Sequence, residues 1–113
     1  MVIRANDTNL ILGPCPFRSI PSGAEEIERL KERAGLQRAV ASGFRSLLYY
    51  DTLSGLEEDM AHYASLRTWL YFYATLDPRF PQMERSVRRA AVDERIAAVR
   101  LLPGIHHYEL DAP

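Results

Sequence analysis

The sequence predicts an α/β fold, a parallel βαβαβαβ unit resembling half of a (β/α)8 barrel. Three observations predict it. Four short apolar runs, near Leu10, Val40, Tyr71 and Val99, recur at intervals of about thirty residues, the length of one βα unit. Segments of helical periodicity separate them. Each run closes on turn residues: Gly13-Pro14, Ser42-Gly43, Asp77-Pro78 and Pro103-Gly104. Crossovers of that length imply parallel neighbours joined by right-handed connections.

Ala5 to Leu12 is the first strand. Asn6 and Asp7 are poor strand formers. Pro14 and Pro16 end the ladder, because neither donates an N–H. A loop follows through Cys15, Phe17 and Arg18 to Pro21. Ser22 is placed to cap the first helix, with Glu25 three residues on completing a capping-box spacing. Glu25, Glu26 and Glu28 sit at the positive helix start, and Lys31 and Arg33 at its negative end. Ile27, Leu30 and Ala34 form one apolar stripe, and Gly35 suits the left-handed position past the last turn.

Leu36 to Ser42 is the second strand. Gly43 to Ser54 reads as a long loop whose bulky apolar residues pack over the core, with room for a short helical turn. Ser54 then caps a helix over about 55–65, with Leu56, Met60 and Tyr63 on one face. Thr68 to Leu76 is almost continuously apolar and aromatic, the pattern of a strand buried on both faces. That reading makes Trp69, Tyr71, Phe72 and Tyr73 core residues. Pro81 opens a third helix to about Asp93, with Met83, Val87, Ala90 and Ala91 inward and Arg85, Arg88 and Arg89 outward. Ile96 to Leu102 is the fourth strand.

A length of 113 residues sets an expectation of one domain. Hydrophobic residues make up 47%, enough for a packed core. The formal net charge is -1, with both signs interleaved and no basic block, which argues against a nucleic-acid partner. Cys15 is the single cysteine, so an internal disulfide and a Cys-rich zinc site are excluded. The N-terminus lacks an apolar signal-peptide core. The longest apolar run, Trp69 to Leu76, is far short of the roughly 20 residues a bilayer span needs. A cytoplasmic domain with no membrane association is expected.

Four segments together resemble the N-terminal half of the amidohydrolase-related family, metal-dependent hydrolases and decarboxylases on a TIM-like barrel. Asp7-x-Asn9-x-x-Leu12-Gly13-Pro-x-Pro-Phe17-Arg18 is similar to that family's opening Asp-x-His-x-His-x-Gly strand and loop. Glu26-x-x-x-Leu30-x-x-x-Ala34-Gly35-Leu36-x-Arg38-Ala39-Val40 resembles its first helix and second strand. Tyr73-Ala74-Thr75-Leu76-Asp77-Pro78 resembles its third strand. Val99-Arg100-Leu101-Leu102-Pro103-x-x-His106-x-Tyr108-x-Leu110 resembles its fourth strand and exit loop. The resemblance implies a hydrolase or decarboxylase acting on a small carboxylated or cyclic substrate. The family's two first-strand metal histidines correspond here to Asn9 and Ile11. Asn is a poor zinc ligand and Ile is none. No metal ligand is therefore carried over, and zinc is expected only if a missing half supplies its site.

In such a fold, chemistry sits at the C-terminal ends of the strands. The groups placed there are Asn9, Arg18, Ser42, Arg45, Asp77, His106 and His107. Asn9, Arg18 and Arg45 are the candidate substrate-binding residues, the arginines as forked donors to a carboxylate. His106 and Asp77 are the candidate catalytic residues, His106 as a proton or hydrogen-bond donor. Plainer readings stand beside these. Arg18 and Arg45 pair structurally with Asp7, Asp51 or Asp77. Asp77 is a strand-exit turn residue. His106 and His107, adjacent on an extended chain, point opposite ways and do not share a metal. Cys15 is an inert packed thiol.

Four parallel strands do not close a barrel, and the outer two leave unpaired edges. The expected remedy is a homo-oligomer or a complementary half chain. An open flavodoxin-like sheet is the other arrangement the elements allow. The competing functional expectations are a non-catalytic binding or assembly module and a truncated product without independent function.

Overall fold

The computed structural model describes residues 5–13, 23–48, 51–79 and 83–102. The loop through Cys15 and Arg18 and the segment with His106 and His107 lie outside the described residues. The elements are β1 (Ala5–Leu12), α1 (Ala24–Ala34), β2 (Leu36–Gly43), α2 (Phe44–Leu48), α3 (Thr52–His62), a 3-10 turn (Ala64–Leu66), β3 (Leu70–Leu76), α4 (Met83–Val92) and β4 (Ile96–Leu101). The four strands form one parallel sheet in the order β1-β2-β3-β4. This is the βαβαβαβ arrangement expected, with each strand laid beside the one before it.

The core shows where the helices sit. Leu12, Ala39, Ala41, Leu70, Phe72, Ala74 and Ile96 from the strands join Ile27 of α1 and Leu53, Leu56 and Met60 of α3 in one buried cluster. Leu10 of β1 and Ala90 of α4 pack against it. On each strand these are alternate residues, so they share one face of the sheet. Helices α1, α3 and α4 therefore all cover that face. A flavodoxin-like sheet has the strand order 2-1-3-4-5, with its first strand inside; here β1 is an edge strand, so that alternative falls. Tyr71 and Tyr73, on the opposite face of β3, are only half-buried, whereas Phe72 is completely buried. The expectation that β3 is buried on both faces is corrected accordingly: its apolar continuity reflects one packed face and one aromatic face.

Two helix starts differ from the sequence reading. Gly23, not Ser22, caps α1 in extended backbone (φ -67, ψ 156), with no side-chain cap. Its carbonyl accepts the Ile27 N–H at 3.1 Å, which sets the register one residue later. Gly35 ends α1 in the left-handed region (φ 69), as expected. Asp51, not Ser54, caps α3, so that helix begins at Thr52. One Asp51 oxygen accepts the N–H groups of Leu53 (3.1 Å) and Ser54 (3.4 Å), and the other accepts the Ser54 hydroxyl at 3.0 Å. An aspartate satisfies two open helix-start donors here. The region read as a loop from Gly43 thus holds all of α2 and the first turn of α3.

Helix α4 is also rotated from its expected setting. Ser86 is its buried residue, while Val87 is 44% exposed and Ala91 is exposed. Val87 turns toward the open side of β4, where Val99 and Leu101 are also exposed. At the other edge, Ile11 of β1 is 47% exposed. Both outer strands thus leave apolar side chains partly exposed. Among the described residues no helix is long and apolar enough to cross a membrane.

Candidate functional site

The sheet face opposite α1, α3 and α4 carries the polar cluster of interest. Alternation from the core positions puts Asn9 and Ile11 of β1, Arg38, Val40 and Ser42 of β2, and Tyr71, Tyr73 and Thr75 of β3 on it. Thr75 lies beside Arg100 of β4 in the ladder. Arg100 donates from Nη2 to Asn9 Oδ1 at 2.9 Å. Its guanidinium stacks 4.1 Å from the centre of the Tyr73 ring. The Tyr73 hydroxyl donates to the Thr8 carbonyl at 2.6 Å. Strand β4 therefore reaches β1 over the ring of β3.

The span of these contacts is informative. Neighbouring strands stand about 4.8 Å apart, so β1 and β4 are separated by roughly 14 Å in a flat sheet. Bridges from both β3 and β4 to β1 across one face fit a sheet curled toward that face. Local sequence supports the curl. Asp7 Oδ1 accepts the N–H of Asn9 at 2.8 Å, a short-range bond that competes with the ladder. The β1–β2 register shifts between Asp7 and Leu10, and the β3–β4 register shifts between Phe72 and Tyr73. Such irregularities bend a strand and re-aim its side chains. They flank Asn9 and Tyr73, the two residues that receive Arg100.

Arg100 differs in its partners from Arg45, the predicted site arginine that lies among the described residues. A guanidinium has five N–H donors. The described acceptor for Arg100 is a neutral amide, and no described carboxylate pairs with it. Arg45, in contrast, is tied up structurally. Its Nη1 meets Asp59 Oδ1 at 2.9 Å and its Nε meets Glu58 at 3.5 Å. The plainer reading of Arg45 as an ion-pair residue had the right kind of interaction but named the wrong partners. Asp59 is completely buried and lies against Gly43 at the end of β2.

Asp77 is also engaged in its own turn. Its Oδ1 accepts the Arg79 backbone N–H at 3.1 Å and Arg79 Nε at 3.0 Å, and its Oδ2 accepts Nη2 at 2.8 Å. It is nearly buried, with both oxygens on Arg79, as a strand-exit residue would be. Of the predicted site residues, the structure brings Asn9 to the cluster, places Ser42 on the same face, and ties Arg45 and Asp77 to other charges. Arg18 and His106 lie outside the described residues.

Arg100, Tyr73 and Thr75 were not anticipated as a site. Arg100 had a readable signal, since it is the one charged residue within the strand Ile96–Leu101. Asp59 had one too. It falls between Leu56 and Met60 on the stripe that α3 turns inward, where a carboxylate is out of place.

Arg95, just before β4, has a perturbed ionisation. Burial lowers its pKa, opposed by Asp93 and assisted by Arg67 and Arg89. It donates to the Met60 carbonyl at 2.7 Å and precedes β4, at the strand end away from the site. That places it among the fold's fastenings.

A divalent metal does not fit the cluster. The oxygen of Asn9 faces a guanidinium cation, and Ile11 offers no donor. Among the described residues, no three His, Cys, Asp or Glu side chains converge to hold a metal.

Fold and site together define a parallel α/β protein with its strands in sequential order and an arginine on the sheet face opposite its three long helices. Compared with known proteins, the chain matches no family model, no curated protein and no solved structure.

Proposed function

We propose that the sheet face opposite α1, α3 and α4 binds a small carboxylate-bearing molecule, with Arg100 as its forked donor. One observation carries this reading: Arg100 is held over the Tyr73 ring while its described hydrogen bond goes only to the Asn9 amide. A carboxylate would replace a neutral acceptor with a charge-assisted, two-point contact, which is the stronger interaction. Asn9 positions the guanidinium, and Tyr73 supplies a cation–π seat. Calorimetric titration with succinate tests it. The wild-type chain should bind, and Arg100→Gln should weaken binding at least about tenfold, the equivalent of 1.4 kcal/mol. Unchanged affinity in that variant overturns the assignment.

A hydrolase or decarboxylase acting on the same class of small carboxylated or cyclic substrate is the second reading. The position of Thr75 and Arg100 in the C-terminal half of their strands favours it, because barrels of this strand order do their chemistry there. The resemblance to the amidohydrolase-related family supports the same reading, but this chain's own residues give no step through a metal. Turnover of lactones or carboxylated dienes by the purified protein would promote the catalytic reading. Binding without turnover leaves a binding module.

The exposed Ile11 at one edge and Val87, Val99 and Leu101 at the other support a homo-oligomer or a complementary half chain. Light scattering separates the two. A dimer of the purified chain favours the first, and a monomer that gains mass only with a second polypeptide favours the second. The single cysteine supports a reducing compartment such as the cytoplasm.

A further inference from the structure

Two side chains on the same face remain unexplained. Ser42 and Thr75 are 1% and 2% exposed, and among the described residues neither hydroxyl has a hydrogen-bond partner. Buried polar groups are satisfied as a rule, and one left unmade is costly. A strand serine or threonine ordinarily finds a carbonyl or a neighbouring side chain. Here both stand in adjacent strands on the face that carries Arg100, and Thr75 is the direct ladder neighbour of Arg100. Ser42 sits beside Ile11 of β1 in the register, two residues beyond Asn9. Thr75 thus stands beside Arg100, and Ser42 one strand over, on the face where Arg100 meets Asn9.

We propose that Ser42 and Thr75 form an oxygen subsite for the same ligand, which makes that ligand a hydroxy-carboxylate. This rests on the carboxylate reading of Arg100. The ligand's carboxylate takes the guanidinium, and its hydroxyl oxygen takes the bonds that Ser42 and Thr75 lack. A hydroxyl both donates and accepts, so the ligand oxygen satisfies one side chain as acceptor and the other as donor. Entry of the ligand exchanges the exposed Arg100–Asn9 bond for the carboxylate, a local side-chain movement that leaves the sheet intact. A plain dicarboxylate would leave both buried hydroxyls unmatched, and a site with buried polar groups discriminates against a ligand that fails to pair them.

Calorimetric titration with a matched pair, malate and succinate, tests the inference. The two acids differ by one hydroxyl. The wild-type chain should bind malate about tenfold more tightly, the upper range for a well-made neutral hydrogen bond. The Ser42→Ala, Thr75→Val double variant should lose that ratio, binding the two acids equally. A ratio near one in the wild-type chain overturns the inference, as does a ratio that survives in the double variant. Should the double variant fail to fold, the wild-type ratio and the two single variants decide. Failure of the underlying reading looks different, because then neither acid binds, or both bind regardless of Arg100→Gln.

Discussion

Gly43→Ala perturbs the point where the end of β2 meets α3. A Cβ at Gly43 would overlap the carboxyl group of Asp59, whose three atoms are its nearest neighbours, the farthest at 2.8 Å. The backbone at Gly43 is not among the left-handed glycines, so overlap is the whole effect. Asp59 has little freedom to move aside. It is 0% exposed, and its Oδ1 holds Arg45 at 2.9 Å. Overpacking alone costs about 1–3 kcal/mol, and disrupting a buried ion pair costs about 3–5 kcal/mol when one partner is lost. The pair is displaced here, not deleted, so about 3 kcal/mol is expected. At about 4 °C per kcal/mol for a domain of this size, the melting temperature falls by about 12 °C. Thermal and urea unfolding followed by circular dichroism reads the change. The Asp59→Ala background supplies the control, since removing the carboxyl makes room for the new methyl. A cost under about 0.5 kcal/mol, or the same cost in both backgrounds, refutes the reasoning.

Other consequences follow from single contacts. Thr75→Val removes a buried hydroxyl that lacks a partner among the described residues and should raise stability by about 1 kcal/mol in urea denaturation; a loss of that size would mean that the hydroxyl is bonded. Asp51→Ala should destabilise by about 1 kcal/mol through the α3 cap, and Ser54→Ala by less, as measured by thermal melts. The reverse order would restore Ser54 as the cap. Tyr73→Phe should cost about 1 kcal/mol by deleting the bond to the Thr8 carbonyl. It should leave succinate affinity nearly unchanged, because the ring under Arg100 remains; a large affinity loss would move the ligand onto the hydroxyl.

The parallel order of strands was legible because local chemistry marked each unit. Gly35 stops α1, Asp77-Pro78 stops β3, and the spacing between strands leaves room for one crossover each. The helix starts were less legible. Ser22 and Gly23 both stand three residues before a glutamate, and only the packing of Ile27 selects the later register. In the stretch read as a loop, Asp51 outcompetes Ser54 because a carboxylate takes two backbone donors at once.

The misread burial of β3 has a different cause. Periodicity cannot show that all three long helices lie on one side, so Tyr71 and Tyr73 looked like core. The same blind spot hid the site. Arg100, Tyr73 and Asn9 are far apart in the chain and meet only because register shifts in two ladders accompany a curled sheet. Asn9 was visible through the resemblance, where it replaces a histidine. Its actual partner is a cation, which the resemblance gave no reason to expect.

The role proposed for Arg100 is to receive a carboxylate on the sheet face opposite α1, α3 and α4. Side-chain NMR during a succinate titration tests this most directly. The Arg100 guanidinium and Asn9 side-chain amide signals should shift together and saturate along one binding curve, with the Tyr73 ring following. Unsaturable shifts spread over surface arginines such as Arg29 and Arg88, with Arg100 unmoved, would contradict it.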